Sequence, residues 1–224
     1  MPNWTRLLAS LTIILAAFGT AQGHFAEECL PVQVVSKAVR EELEFITMDL
    51  SIPVIEGMAD SALQERLNRQ LEDRIMAFAA ELASEAQLAA KEVERQYQAY
   101  THFEVFGNQS TLSVAVTFYQ YTGGAHGLSF IESINLDLAS GRLLTLADLL
   151  PDENRREMLL KAIREQIAAA PENYFPDSLN LTTLPDEEDF YIEGDQLVVY
   201  YGLYEIAPYA TGIPAFKIPL SLLD

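Results

Sequence analysis

Apolar residues recur every three or four positions between Leu63 and Val93, which is the spacing of one face of an α-helix. The segment Ser61-Ala62-Leu63-Gln64 has the form of a capping box, so we expect this helix to start near Asp60. About thirty residues at roughly 1.5 Å per residue make a helix of about 45 Å. The pattern therefore predicts a long helix that crosses the back of a whole sheet. Its apolar stripe consists of Leu63, Leu67, Leu71, Ile75, Phe78, Leu82, Ala86, Ala89 and Val93.

Strand patterns flank this helix on both sides. Residues 32–39 and 45–55 are rich in β-branched residues, which predicts two strands. Residues 112–118 alternate between apolar and small or polar side chains, the pattern of a half-buried strand. Gly123, Gly124 and Gly127 then form a glycine-rich reversal into a strand over 128–138, and Gly141 belongs to a second tight turn. These features predict sequential antiparallel strands.

The last third of the chain predicts a shorter helix and a second set of strands. A helix after Pro151 has Leu159, Ile163 and Ile167 on one face, and Pro171 ends it. A proline-rich and acidic stretch over 171–189 is typical of a loop. Three short apolar runs then predict strands at 190–192, 197–201 and 216–220.

The whole pattern predicts an α+β fold in which antiparallel sheets pack on one long and one shorter helix, in two closely joined halves. The N-terminal half, with the long helix, is predicted to cover residues 24–107. The C-terminal half is predicted to cover residues 108–224, with the boundary near Gly107.

Residues 1–23 have the pattern of a secretory signal peptide: Arg6 supplies positive charge, and residues 7–21 are an apolar run closed by small residues. That run is shorter than the roughly 20 residues needed to cross a bilayer as a helix, so cleavage is predicted, with no stable membrane span afterwards, and a retained anchor is the alternative. The protein is therefore expected to be periplasmic or secreted. A single cysteine, Cys29, leaves no internal disulfide, so the fold depends on its apolar core.

The chain is strongly acidic, with 33 Asp and Glu against 14 Lys and Arg, for a net charge of -19. Removal of residues 1–23 takes away one cation, Arg6, and no acid, which makes the charge -20. This balance excludes nucleic acid and anionic membrane surfaces as partners and favours a cationic one. Solubility alone is the competing explanation.

The most informative motif runs from Tyr200 to Pro214, where a tyrosine-rich strand leads into Ala-Pro-Tyr-Ala-Thr-Gly. Pro208 fixes φ and Gly212 permits a positive φ, so one fixed reversal is expected there. Glu205 is expected to brace that turn. Two further segments accompany this one, Tyr121-Thr122-Gly123-Gly124-Ala125-His126-Gly127 and the stretch from Asn135 to Leu150, which contains Leu146-Ala147-Asp148-Leu149.

These three segments, in this order, resemble the RsiV-like extracytoplasmic domain family, over most of residues 119–220. The family is a bacterial domain of unknown function shared with a lysozyme-sensing anti-sigma factor and with N-terminal regions of some peptidoglycan deacetylases. The resemblance implies a non-catalytic binding domain for a cationic protein such as lysozyme, or for a cell-wall component. Only six residues precede the apolar run, so an anti-sigma role is not expected.

Two alternatives stay open, an enzyme or accessory domain of cell-wall metabolism and a structural envelope protein. The sequence has three histidines and lacks H-E-x-x-H, C-x-x-C and G-x-S-x-G, so no catalytic residue, metal site or cofactor is predicted. Asp148 and Glu205 are the best-placed acids for a carboxylate pair, although structural roles are favoured for both. Because tyrosine is common in binding surfaces, the predicted contact residues are Tyr119, Tyr121, His126, Tyr200, Tyr201, Tyr204 and Tyr209.

Overall fold

A computed structural model of the protein describes residues 32–89, 95–187 and 189–223. It confirms the α+β class: a five-stranded mixed sheet carries the long helix, and a three-stranded antiparallel sheet carries the shorter one. The predicted signal peptide and Cys29 lie outside the described residues. The strands are β1 (Gln33–Glu42), β2 (Ile46–Glu56), β3 (Tyr97–Gly107), β4 (Thr111–Tyr121), β5 (Leu128–Asp137), β6 (Phe190–Glu193), β7 (Gln196–Tyr200) and β8 (Ala215–Pro219), and the helices are α1 (Ser61–Ala89), α2 (Leu146–Leu149) and α3 (Glu153–Ala169).

The first sheet has the strand order β1-β2-β3-β4-β5, and one of its pairings differs from the sequence prediction. β2 and β3 run parallel, whereas the other neighbours in this sheet are antiparallel. The physical reason is the connection: α1 lies between β2 and β3 in the chain, and a helical crossover returns the chain in the same direction. The sequence analysis also missed β3, although residues 97–103 alternate between the two faces.

Helix α1 packs its predicted stripe, from Leu63 to Ala89, on one face of this sheet, and Val93 lies outside the described residues. Asp60 accepts a hydrogen bond from the Leu63 backbone N–H at 2.9 Å and so caps the helix start. Phe78 is buried and meets Phe118 of β4 edge to face, with ring centroids 5.2 Å apart. This contact lies in the larger of the two apolar cores, which the helix and the sheet share.

The second sheet has the order β6-β7-β8 and shares a separate apolar core with α3. Asp152 accepts from the Arg155 backbone N–H and caps α3, while Leu159, Ile163 and Ile167 are fully buried as predicted. The stretch between α3 and β6 contains two short 3-10 turns, Pro171–Asn173 and Pro176–Asn180.

Buried side chains of β4 and β5 join the two sheets by hydrogen bonds to the backbone of β6. The Ser113 hydroxyl donates to the Asn135 side-chain oxygen at 2.6 Å and accepts from the Ile192 N–H at 3.0 Å. The Asn135 side-chain nitrogen donates to the Phe190 carbonyl at 2.8 Å. On the outer edge of β6, the Ile192 N–H and the Phe190 carbonyl therefore have hydrogen-bond partners in the other sheet instead of in a further strand.

After β5, near Leu138, the chain leaves the layer formed by the first sheet and α1 and enters the layer formed by the second sheet and α3. The boundary expected near Gly107 falls at the tight connection between β3 and β4, which pair along ten residue positions of the same sheet. Across the described stretches of the chain, none of the helices has both the length and the apolar character needed to span a bilayer.

Candidate functional site

The second sheet covers only one end of the face that the first sheet turns away from α1. Cross-strand pairing places Ser113 with Asn135 and Ala115 with Ser133 at the covered end. Further along the same strands, Tyr119 pairs with Ser129 and is left half exposed. A shallow groove of about 450 Å³ lies on this open end, which we call the open-face groove; it is lined by Asp49, Tyr100, Thr101, His102, Thr117, Tyr119 and Ser129.

An aromatic surface adjoins the groove where the β4–β5 loop meets the corner between β7 and β8. We call it the aromatic loop cluster, and it consists of Tyr119, Tyr121, His126, Tyr204 and Tyr209. The His126 ring stacks on Tyr209 with centroids 3.9 Å apart, and Tyr204 lies 5.8 Å from Tyr209. Tyr204 and Tyr209 are 49% and 36% exposed, so their rings are available to a partner.

One backbone carbonyl, that of Gly127, holds the cluster together. It accepts from the Tyr209 hydroxyl at 2.9 Å and from the His126 Nδ1–H at 3.1 Å. Gly127 is itself buried against the Tyr119 ring, and a Cβ at this position would overlap that ring. Glycine is therefore required here, because the loop packs closely against the Tyr119 ring of β4.

Tyr121 secures the tip of the loop. Its hydroxyl donates to the Gly124 carbonyl at 2.9 Å and accepts from the Arg95 guanidinium at 3.2 Å. Gly123 has a φ of 87°, in the region that favours glycine. Burial of the Tyr119 ring and, to a smaller extent, the nearby Tyr209 raise the pKa of Tyr119 above its ordinary value.

The corner that carries Tyr204 and Tyr209 contains the reversal expected from Pro208 and Gly212. Gly212 has a φ of 78° and ends a short 3-10 turn, Tyr209–Thr211. Glu205 accepts from the Gly202 backbone N–H at 2.7 Å, which closes the turn that precedes Pro208. Tyr204 has a φ of 66°, an uncommon conformation for a residue with a side chain, at the point where its ring projects outward.

Two predicted contact residues lie inside the protein instead of at the surface. Tyr200 is 3% exposed and Tyr201 is fully buried. The Tyr200 hydroxyl shares a hydrogen bond with Ser133 at 2.9 Å, and the Tyr201 hydroxyl donates to the Thr183 carbonyl at 3.0 Å. Both are buried because this part of the tyrosine-rich segment belongs to β7 and its continuation, the centre of the second sheet.

The predicted motif residues Gly141 and Asp148 have local structural roles. Gly141 adopts a φ of 69° in the turn after β5. Asp148 accepts from the Thr145 backbone N–H at 2.9 Å and from Arg142 at 2.7 Å, so it caps α2. These bonds lower the pKa of Asp148 below its ordinary value, and the bond from the Thr145 backbone has the largest effect. A carboxyl held as an anion in this way is poorly suited to act as a general acid.

Both ring nitrogens of His126 have a neighbouring atom within 3.5 Å. His126 uses one ring nitrogen on the Gly127 carbonyl, and its other ring nitrogen lies 3.5 Å from the Tyr204 hydroxyl. In residues 32–89, 95–187 and 189–223, no group of three or more His, Cys, Asp or Glu side chains is placed to hold a metal ion.

Sequence reasoning missed the groove side of the site, because it missed β3. Tyr100 pairs with Tyr119 across β3 and β4, and Asp49 of β2 pairs with Tyr100. The alternation of residues 97–103 was the available signal. The parallel register with β2, which brings Asp49 beside Tyr100, has no local sequence signal.

Two family matches divide the chain in the same order as its two layers. Residues 39–129 match the family described as Deacetylase PdaC, and residues 147–221 match the protein family of unknown function DUF3298. The first match includes the groove residues and ends just after the glycine-rich loop. The second includes α3, the second sheet and the corner with Tyr204 and Tyr209.

Two curated proteins of Bacillus subtilis and two crystal structures are similar to the chain. Anti-sigma-V factor RsiV is 23% identical over 83% of this chain and 67% of its own length, and peptidoglycan-N-acetylmuramic acid deacetylase PdaC is 20% identical over 99% of this chain and 50% of its own length. The chain thus spans about half the length of PdaC.

The two structures show that the fold is shared. A DUF3298 family member from Bacteroides fragilis has a TM-score of 0.63 at 20% identity, and the match covers 86% of this chain and 92% of that one. A DUF3298 family protein from Pseudomonas aeruginosa has a TM-score of 0.60 at 18% identity, covering 88% and 94%. The resemblance to the RsiV-like family predicted from the sequence is confirmed by the two family matches and by the similarity to RsiV and PdaC.

Proposed function

We propose that this protein is an exported, non-catalytic binding domain that captures a cationic protein such as lysozyme. The observation that carries the proposal is the aromatic loop cluster, in which exposed rings from both layers are fixed through the Gly127 carbonyl. Rigid aromatic side chains lose little conformational freedom on binding, and such residues dominate the energy of protein interfaces.

Charge supports a basic partner. The chain has a net charge of -19, and nine described cations already lie within 4 Å of a carboxylate. Most of its positive charge is therefore compensated locally, while the acidic excess remains. A negative field of this kind accelerates encounter with a cationic protein. The likeness to RsiV, named as an anti-sigma-V factor, is consistent with a role at the cell envelope.

The test is a titration of the purified protein with hen-type lysozyme at about 0.15 M salt, where exposed charges are screened beyond roughly 8 Å. Binding and lytic activity are recorded together. We expect stoichiometric binding that persists at this salt and is accompanied by loss of lysis. The variant Tyr209→Ala should weaken binding at least tenfold, because an exposed aromatic anchor is lost. Binding that disappears on screening would reduce the effect to general charge attraction and contradict the proposal.

A second candidate is an accessory domain of peptidoglycan metabolism, which the match of residues 39–129 to Deacetylase PdaC favours. In that case the same surfaces would hold a cell-wall fragment. Absence of lysozyme binding, together with binding or turnover of purified muropeptides, would favour this candidate.

A further inference from the structure

The open-face groove has features that the aromatic loop cluster alone does not explain. Two tyrosine rings lie side by side on its floor, Tyr100 on β3 and Tyr119 on β4, with centroids 5.7 Å apart and planes only 10° from parallel. Both rings are half-buried, so they are held by the sheet and still accessible from one side. Parallel electron-rich rings of this kind attract a cationic group placed against them.

A carboxylate stands at the margin of these rings. Asp49 of β2 is the cross-strand neighbour of Tyr100, and its side chain is 50% exposed. Together with the rings, this carboxylate makes a surface suited to a positive charge.

Arg40 is the one basic side chain that the first sheet's cross-strand pairing places beside Asp49 within the described residues. It bonds Asp49 at 3.0 Å and is itself 71% exposed. An ion pair this exposed contributes little free energy, so an incoming cation can replace Arg40 at Asp49. His102 also lines the groove, and Glu42 faces the same side of β1 as Arg40.

We propose that the open-face groove receives a lysine or arginine side chain of the cationic partner, between the Tyr100 and Tyr119 rings and the Asp49 carboxylate. The inference rests on the proposed function and adds the chemical group that is recognised. Tyr119 belongs to both the groove and the aromatic loop cluster, so one partner can cover the two surfaces continuously. The groove then supplies charge-selective recognition, and the cluster supplies apolar contact area.

The test compares variants of two exposed ion pairs in titrations with hen-type lysozyme at about 0.15 M salt. Asp49→Asn and Tyr100→Leu should each weaken binding about five- to tenfold, and Tyr100→Phe should stay within about twofold because it keeps the ring. Arg40→Gln should strengthen binding about two- to threefold, since it removes the competing guanidinium. The matched controls are Glu165→Gln and Lys161→Gln, which alter an exposed pair on α3 by the same charges and should each change affinity less than twofold.

The outcomes separate this inference from the proposed function. If wild-type protein binds lysozyme stoichiometrically but Asp49→Asn and Arg40→Gln behave like their α3 controls, the groove assignment is wrong and the binding function stands. If wild-type protein does not bind at this salt, both are wrong. Asp49 and Arg40 are surface residues, so their variants should keep the wild-type circular dichroism and urea midpoint. The result therefore remains interpretable even if Tyr100→Leu fails to fold.

Discussion

The two ends of one sheet face differ in what their polar and aromatic residues do. At the covered end, Ser113 and Asn135 are buried and bonded to the backbone of β6. At the open end, the same two strands present Tyr119 and Ser129 to a groove. Strand position alone does not distinguish these residues, since all of them alternate onto the same face. The difference is set by where the second sheet ends.

The segment from β7 to β8 contacts both ends of this face. Tyr200 extends into the covered end and bonds Ser133, whereas Tyr209, nine residues later, reaches the Gly127 carbonyl beside the open end. The second layer thus seals one end of the face and borders the other. A binding surface placed between two layers is held more rigidly than one on a single loop.

The largest effect on stability is expected from removal of the buried polar connection between the two sheets. Asn135→Ala should lower the free energy of unfolding by about 3 kcal/mol, because the Phe190 carbonyl and the Ser113 hydroxyl each lose a buried partner. Urea unfolding followed by circular dichroism measures this. Asn180→Ala, at an exposed position, is the control and should stay within about 0.5 kcal/mol. Equal effects for the two variants would show that the covered end does not depend on this network.

A smaller effect is expected at the open end from Gly127→Ala. The added Cβ would overlap the Tyr119 ring, so the ring or the loop must move, at a cost of about 2 kcal/mol. Gly124→Ala in the same loop is a matched control, because its Cβ would meet no atom closer than 4.0 Å. Thermal or urea unfolding of the pair tests the packing, and a Gly127→Ala variant as stable as Gly124→Ala would contradict it.

Within the tyrosine-rich segment, the buried Tyr200 and the exposed Tyr204 can be compared directly. Tyr200→Phe should cost about 1 kcal/mol, because the buried Ser133 hydroxyl loses its partner. Tyr204→Phe should cost less than about 0.5 kcal/mol, since its hydroxyl is exposed. Urea midpoints measure both. A larger cost for Tyr204→Phe than for Tyr200→Phe would contradict the burial of Tyr200 and the exposure of Tyr204.

The smallest expected effect is a loss of stability at alkaline pH. Burial raises the pKa of Tyr200 and of Tyr201 well above the ordinary value of 10.0. Since both pKa values are raised in the folded state, the stabilisation is fully present below about pH 10 and is lost as the pH rises further. Each residue should contribute a loss of about 0.4 kcal/mol at pH 10, measured from urea midpoints at pH 8, 9 and 10.

Absorbance near 295 nm provides the independent check on this prediction. The two buried tyrosines, Tyr200 and Tyr201, should ionise only when the protein unfolds. Tyr200→Phe should make the alkaline loss smaller. Full ionisation of all tyrosines at pH 11 without unfolding would contradict the burial.

The sequence predicted the elements better than their arrangement. The α1 stripe and the alternation of residues 112–118 are local, and both predictions are confirmed. Pro208 and Gly212 marked the corner because their backbone constraints are also local. The parallel β2–β3 pairing, and with it the meeting of Asp49, Tyr100 and Tyr119, depends on long-range register that no single segment encodes.

The candidate site was predictable to the same extent. His126 and Tyr209 were identified from the motifs in which they lie, and the structure brings them together. Tyr200 and Tyr201 share the motif with Tyr209 yet are buried. Tyr200 ends β7 and Tyr201 follows it directly, whereas Tyr209 lies in the corner between β7 and β8. Separating them requires knowledge of which face the second sheet covers.

Photo-crosslinking is the direct test of whether the open end of the face binds a basic protein. A benzophenone amino acid replaces Ser129, which lines the groove, or Glu165, which is exposed on α3, and each variant is irradiated with hen-type lysozyme at about 0.15 M salt. If the groove docks the partner, we expect a crosslinked product from position 129 and none from position 165. Equal yields from the two positions, or a product from position 165 alone, would contradict it.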